Sequence, residues 1–69
     1  MKRTKARIIA DDMQARIEEG EFNRNVRLPT TRELTVQYHT SSRTIRDTIE
    51  ALKARGLIIA NPGKGIFLK

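Results

Sequence analysis

Hydrophobic residues recur along the first third of the chain with the spacing of an α-helix. Five of them share one face of a 3.6-residue period: Ala6, Ile9, Ala10, Met13 and Ile17. Gly20 follows, at a position where helices commonly end in the left-handed conformation that glycine adopts without strain. The pattern predicts a helix over about residues 4–20 whose apolar face packs inward.

A second amphipathic segment begins with a helix-start signal. Thr30 and Glu33 have the spacing of a capping box, in which each side chain accepts a hydrogen bond from the other residue's backbone N–H. Leu34 and Tyr38 follow with helical spacing. We therefore expect a short helix over about residues 31–38, with these two side chains on its buried side.

A third segment starts at Ser41 and Ser42, which are both favourable N-cap residues. Its inward face is predicted to consist of residues spaced by four and three: Ile45, Ile49 and Leu52. Gly56 marks its end by the same reasoning as Gly20, so the helix is expected over about residues 42–55. Two helices of these lengths joined by a short turn have the dimensions of a helix-turn-helix.

Beyond Gly56 the pattern changes from helical to β-prone. Runs at 57–60 and 66–68 flank the sequence Asn61-Pro62-Gly63-Lys64, whose second and third residues are typical of a type II turn. This predicts a β-hairpin, the wing, over about residues 57–68. The predicted fold class is α+β and mainly helical: a winged helix-turn-helix with three helices and a two-stranded hairpin, forming one domain over residues 1–69.

Charge is distributed unevenly along the chain, whose net charge is +6. Residues 1–21 hold five basic and five acidic side chains, whereas residues 22–69 hold nine basic and three acidic ones. The later segment is therefore expected to face a polyanion, although a solvated basic surface would have the same composition. The first helix is predicted to be scaffold, and the basic cluster at 2–7 either contacts a phosphate or is a solvated terminus.

The outward side of the third helix carries candidate DNA contacts, because arginine can bind guanine and hydroxyls can bind phosphate or base edges. Asp47 lies among them and is expected to orient Arg43, Arg46 or another basic neighbour, since a phosphate would repel it. The alternative is an ordinary charged face. The candidate DNA-binding residues, including one in the second helix and two at the wing tip, are Arg32, Ser41, Ser42, Arg43, Thr44, Arg46, Gly63 and Lys64.

Other classes of function have little support. The absence of cysteine excludes disulfides, thiolate catalysis and cysteine-ligated zinc. His39 lacks the neighbours of a metal site, the serine pair is explained by capping, and Gly63-Lys64-Gly65 lacks the context of a phosphate loop. We expect no enzyme activity, no metal and no cofactor. Since no apolar segment has signal or membrane length, a cytoplasmic protein without membrane contact is expected.

Four separated runs of the chain match a known set of motifs at the same spacing. They are LPTTREL at 28–34, SSRTIRD at 41–47, LKARGLI at 52–58 and GKGIF at 63–67. They resemble the LPSEREL, SRTTVREAL, LxxxGLV and GxGTF patterns in the N-terminal domain of GntR-family bacterial transcription regulators. The resemblance covers about residues 6–68, and it implies a winged helix-turn-helix that binds operator DNA, more often as a repressor than as an activator.

The resemblance also implies roles for individual residues. Arg32 would contact DNA near the groove edge, Arg46 matches a recognition-helix arginine, and Gly63 matches the wing glycine beside the minor groove. The arginine that opens the family's recognition helix falls on Ser42, and Arg43 stands one residue later, so the half-site need not be a typical one. Two further positions depart from the family's usual Glu and Gly: Thr31 and His39.

Family members bind palindromic operators as homodimers. Their C-terminal domain joins the two subunits and also binds a small-molecule effector. The resemblance therefore implies double-stranded DNA as the partner and a homodimer for a full-length regulator. We expect the present chain to be a fragment of such a regulator and monomeric on its own. The alternatives are a winged helix that binds another protein, and the DNA-binding head of a fused, aminotransferase-like regulator.

Overall fold

The chain folds into three helices followed by a β-hairpin. The computed structural model describes residues 4–22, 27–61 and 63–69. The elements are α1 (Lys5–Glu18), α2 (Thr31–Gln37), α3 (Ser42–Ala54), β1 (Ile58–Asn61) and β2 (Gly65–Leu68), and the two strands pair antiparallel. This order confirms the predicted α+β winged helix-turn-helix. Among the described residues, no helix is long and apolar enough to cross a membrane.

Two sequence-based expectations fall partly on residues outside the described ranges. They concern the basic residues Lys2 and Arg3 of the N-terminal cluster and Pro62 in the predicted turn.

Each helix begins at a hydroxyl side chain. Thr4, Thr30 and Ser41 each accept a hydrogen bond from the backbone N–H three residues later. At α2 the predicted capping box is complete, because the Glu33 carboxylate accepts a bond from the Thr30 N–H at 2.8 Å. Caps of this kind contribute about 1 kcal/mol each, so the three helix starts are fixed locally.

The three helices also end in the same backbone motif. A left-handed residue follows each C-cap: Gly20, His39 and Gly56, with φ of 80°, 52° and 74°. The next backbone N–H then bonds to the carbonyl five residues earlier, as from Thr40 to Thr35 at 3.0 Å, which is the Schellman geometry. The two glycines were expected at these positions, whereas His39 adopts the conformation that ordinary side chains disfavour.

The helices are one or two residues shorter at their C-termini than predicted, because the last residues belong to these caps. The pattern predicted ends at 20, 38 and 55, and the helices end at Glu18, Gln37 and Ala54. Tyr38 was expected on the buried side of the second helix. It lies instead at the C-cap of α2, where it is half-buried and packs against the edge of the core.

The core lies where α1, α2 and the hairpin meet α3. Its largest fully buried side chains include Met13, Leu34, Ile45 and Leu52. Ile17, predicted on the same face of α1 as Met13, is only partly buried at the edge of the core. Burial of these apolar side chains is the main stabilising contribution to a domain of this size.

Thr48 is a polar residue inside this core. Its hydroxyl donates toward the Thr44 carbonyl oxygen at 2.9 Å and the Ala6 carbonyl oxygen at 3.2 Å. The second contact joins α3 to the first turn of α1. Because the hydroxyl is bonded, its burial does not carry the cost of an unsatisfied polar group.

The hairpin is held on both sides. In β1, Ile58 is buried against α3, and in β2 the carbonyl of buried Ile66 accepts a hydrogen bond from the Leu28 N–H at 2.8 Å. The Lys64 N–H donates to the Asn61 carbonyl at 3.0 Å across the turn. The connection before α2 therefore fixes one edge of the wing.

Arg16 links α1 to the end of α2. Its guanidinium donates to the Tyr38 hydroxyl at 2.8 Å and to the Glu21 carboxylate at 2.6 Å, and it lies 4.8 Å from the centre of the Phe22 ring. The Tyr38 hydroxyl donates in turn to Asp12 at 2.6 Å. Burial raises the pKa of Tyr38 above its ordinary value, and the bond to Asp12 acts in the same direction.

Candidate nucleic-acid interface

The face of α3 opposite its buried residues points to solvent. With about 100° per residue in a helix, the buried positions Ile45, Thr48, Ile49 and Leu52 define one side. Arg43 and Asp47 lie opposite that side, and Arg46 lies beside them; all three are exposed. The N-terminal half of α3 therefore presents charged side chains in the position predicted from the sequence.

The hydroxyl residues at the start of α3 have different environments. Ser41 is the N-cap, and its Oγ accepts a bond from the Thr44 N–H at 3.2 Å and lies 3.0 Å from the Thr44 hydroxyl. Ser42 is the first helical residue and is exposed, whereas Thr44 is half-buried. Of the two serines considered as caps, Ser41 performs that role, and the Ser42 side chain is left on the outward surface.

Arg16 and the cations of α2, α3 and the α3 C-cap divide into two groups according to whether they form an ion pair. The first group is neutralised within the protein by carboxylates at 2.5 Å, 3.3 Å and 2.9 Å: Arg16, Lys53 and Arg55. The second group consists of Arg32, Arg43 and Arg46, whose exposed side chains make no ion pair or hydrogen bond in the described part of the chain. These three guanidinium groups are therefore available to an anionic partner.

The expectation that Asp47 orients Arg43 or Arg46 is wrong. Asp47 is exposed and makes no ion pair or hydrogen bond among residues 4–22, 27–61 and 63–69. The order of charges explains the missing pair with Arg43, because an acid four residues after a base is the less favourable arrangement along a helix. Exposed pairs of this kind also contribute little to stability.

Arg32 occupies the first turn of α2, beside Glu33 of the capping box. The backbone N–H of Thr30 lowers the pKa of Glu33 below its ordinary value, and the Thr30 side chain and the charge of Arg27 act in the same direction. This keeps Glu33 ionised, where it stabilises the helix start. Arg32 itself is exposed and unpaired, at the end of α2 that lies next to the connection carrying Arg27.

Arg27 is a cation near the wing that the sequence-based reasoning did not select. A Cβ atom added to Gly65 would overlap the Cγ and Cδ atoms of Arg27, so the arginine stem lies directly against the wing backbone. Gly65 has a φ of 118°, which other residues rarely adopt. No local signal reveals this contact, because it joins positions far apart along the chain.

The wing tip carries the last two candidates. Gly63 and Lys64 are exposed, and Gly63 has a φ of 78°, the positive value that the third position of a type II turn requires. The structure thus brings four candidates together on one helix: Ser42, Arg43, Thr44 and Arg46. Arg32 and the wing tip lie on other elements, and α2 and β1 both pack against α3.

Comparison with known proteins identifies relatives of the whole domain. Residues 5–68 match the family described as "Bacterial regulatory proteins, gntR family". The chain is 39% identical over 62 residues to the uncharacterized HTH-type transcriptional regulator YurK of Bacillus subtilis, covering 90% of this chain and 24% of YurK. It is 40% identical over 53 residues to the probable fructoselysine utilization operon transcriptional repressor of Escherichia coli, covering 77% and 22%.

Solved structures show the same fold. The DNA-binding domain of AraR, crystallised in complex with an operator, superimposes with a TM-score of 0.91 and 28% identity, covering all of this chain and 84% of that one. The present chain spans about a quarter of the length of the curated relatives it matches. It therefore belongs to the GntR family of bacterial regulatory proteins, as a winged-helix DNA-binding domain of that family.

Proposed function

We propose that this domain reads operator DNA for a bacterial transcription regulator, with the N-terminal half of α3 in the major groove. The observation that carries the proposal is the pair of exposed, unpaired arginines, Arg43 and Arg46, on the outward face of that half. Arginine is the residue most often used to read guanine, through its O6 and N7 acceptors. Ser42 and Thr44 supply hydroxyls at the same helix end.

The remaining candidates would hold the phosphate backbone. In helix-turn-helix proteins the helix before the recognition helix crosses the backbone, and Arg32 lies unpaired in its first turn. Lys64 and Gly63 at the wing tip would lie at the minor groove, where a glycine allows close approach of the main chain. Ser41 would contribute indirectly, because as the N-cap it fixes the start of α3, and the N-terminus of a helix favours a phosphate anion.

The regulator as a whole is proposed by analogy with the relatives. One relative is named a transcriptional repressor, and the AraR domain was crystallised with an operator. We therefore propose repression as the mode of regulation, a palindromic operator as the target and the cytoplasm as the location. The full-length protein would bind as a homodimer, and the isolated domain would bind a half-site as a monomer.

Binding to duplexes selected from a random library tests the proposal. The affinity for the selected duplex should fall with salt, and about five phosphate contacts would give a log–log slope near −4.5. Arg32→Ala should reduce that slope by about 0.9 and leave the base preference unchanged, as expected of a phosphate contact. Arg46→Ala should change the base preference as well as the affinity.

Lys53→Ala is the matched control. It removes one positive charge from the same helix, but Lys53 lies in its last turn and is already paired with Glu50 at 3.3 Å. Its affinity and salt slope should remain close to those of the original domain. If all three substitutions lower the affinity and the salt slope equally, the domain is attracted to DNA by its charge alone and no residue recognises a base. That result would contradict the proposal.

A further inference from the structure

Asp47 is an acid in the middle of a surface that otherwise fits a polyanion. It lies one helical turn after Arg43 on the outward stripe of α3, and Arg46 precedes it directly. The other acids of α2 and α3 have partners: Glu33 bonds to the Thr30 N–H at 2.8 Å, and Glu50 pairs with Lys53 at 3.3 Å. Asp47 has none in the described part of the chain.

An ionised carboxylate can only accept hydrogen bonds, which restricts what it can meet in the major groove. Phosphates repel it, and guanine and thymine present mainly acceptors along the same edge. Adenine has a donor at N6, but its N7 acceptor lies beside that donor. Cytosine presents the N4 amino group as a donor, and it is the base that Asp and Glu contact in protein–DNA complexes.

We propose that Asp47 is a specificity-determining residue that accepts a hydrogen bond from the N4 amino group of a cytosine in the operator. The inference rests on the proposed function, since it places the same face of α3 in the major groove. Asp47 is at the sixth position of α3, within the N-terminal part of the helix that reaches base edges in helix-turn-helix proteins. Arg43 and Arg46 offset the repulsion between its charge and the phosphates.

This role predicts opposite effects on two measurable quantities. Removal of the carboxylate takes one negative charge off the surface that faces DNA, so the affinity for unrelated duplexes should rise. The preference for one cytosine should fall at the same time, by about five-fold or more, because a mismatched base pair commonly costs that much. A residue that only supports the fold would not change these two quantities in opposite directions.

The test compares the domain with Asp47→Ala and Asp47→Asn by selection from a random duplex library, followed by affinities for the consensus and its single-base variants. The Ala variant should accept any base at one position where the original domain selects cytosine. The Asn variant should shift that position toward adenine, because asparagine pairs with adenine N6 and N7. Asp47 is exposed, so both variants should keep the thermal unfolding curve of the original domain.

Glu50→Gln is the matched control, because it removes the same charge from the next turn of the outward stripe. Because Glu50 is already paired with Lys53, this change should leave the affinity for unrelated duplexes and the selected sequence close to those of the original domain. The inference is overturned if both Asp47 variants select the same bases as the original domain while their affinities shift uniformly. If the original domain itself enriches no sequence, the proposed function fails, and this inference fails with it.

Discussion

The left-handed conformation of His39 predicts that glycine at this position stabilises the domain. His39 has a φ of 52° at the end of α2, whereas the equivalent positions after α1 and α3 are Gly20 and Gly56. Its side chain is exposed and makes no hydrogen bond in the described part of the structure. His39→Gly therefore relieves backbone strain without removing a side-chain interaction.

The magnitude follows from two opposing effects. A non-glycine residue in the left-handed region is disfavoured by about 1–2 kcal/mol. Glycine makes the unfolded chain more flexible, which costs about 0.4–1 kcal/mol on folding. The midpoints of these two ranges leave a net stabilisation of about 0.8 kcal/mol, which corresponds to a rise in Tm of about 3–6 °C for a domain of this size.

Gly56→Ala provides the reciprocal measurement. A Cβ atom at Gly56 would have no heavy atom within 4 Å, so its cost comes from the backbone conformation alone. We expect a loss of about 0.5–1 kcal/mol, similar in size and opposite in sign to the gain from His39→Gly. Both changes are measured by thermal unfolding followed by circular dichroism, with the original domain in the same buffer.

Two patterns of results would contradict a cost from the left-handed conformation of His39. If Gly56→Ala lowers Tm and His39→Gly lowers it as well, the imidazole stabilises the turn by more than its conformation costs. If neither substitution changes Tm, helix ends contribute little to the cooperative unfolding of this domain. A conformational cost at His39 requires that the two shifts in Tm have opposite signs.

Two further predictions concern contacts between distant segments. Tyr38→Phe removes a hydroxyl whose pKa is raised by burial in the folded domain. The protonated hydroxyl therefore adds stability that is fully present below the unfolded pKa of about 10 and is lost as pH rises through the folded pKa. Urea unfolding should show a steeper alkaline loss for the original domain than for the variant, and equal slopes would contradict this. Gly65→Ala should destabilise more than Gly56→Ala, because it adds overlap with the Arg27 stem to an unfavourable φ of 118°. Adding Arg27→Ala to the Gly65→Ala variant should restore the part of the stability that is lost to steric overlap. If it restores none, the backbone conformation alone accounts for the loss.

The helices, their caps and the outward face of α3 were predictable because their signals are local. Thr30 and Glu33 stand three residues apart, and the residues that define the faces of α3 lie within a few turns of one another. Backbone geometry converts such spacings directly into positions on a helix. Because of this, the position of Arg43 and Arg46 on the outward face of α3 could be predicted from the sequence.

The contacts that join the elements were not predictable in the same way. The Tyr38 hydroxyl reaches Asp12 across 26 positions, and the Thr48 hydroxyl reaches the Ala6 carbonyl across 42. No periodicity links residues so far apart, since packing of the whole domain brings them together. The absence of an ion pair between Asp47 and Arg43 or Arg46 was not predicted for a related reason. Spacing along a helix shows which side chains can form an ion pair, but the small free energy of an exposed pair decides whether they do.

The attachment of both strands of the wing has a consequence for which DNA sequences the domain accepts. Ile58 is buried where β1 packs against α3, and the Leu28 N–H donates to the Ile66 carbonyl, so each strand is tied to the helical part of the domain. We expect the span between the recognition helix and the wing to change little on binding, so that a groove of different width is accommodated by bending or twisting the duplex. Deformation of DNA depends on its sequence, so we expect operators to be selected partly at base pairs that no side chain touches.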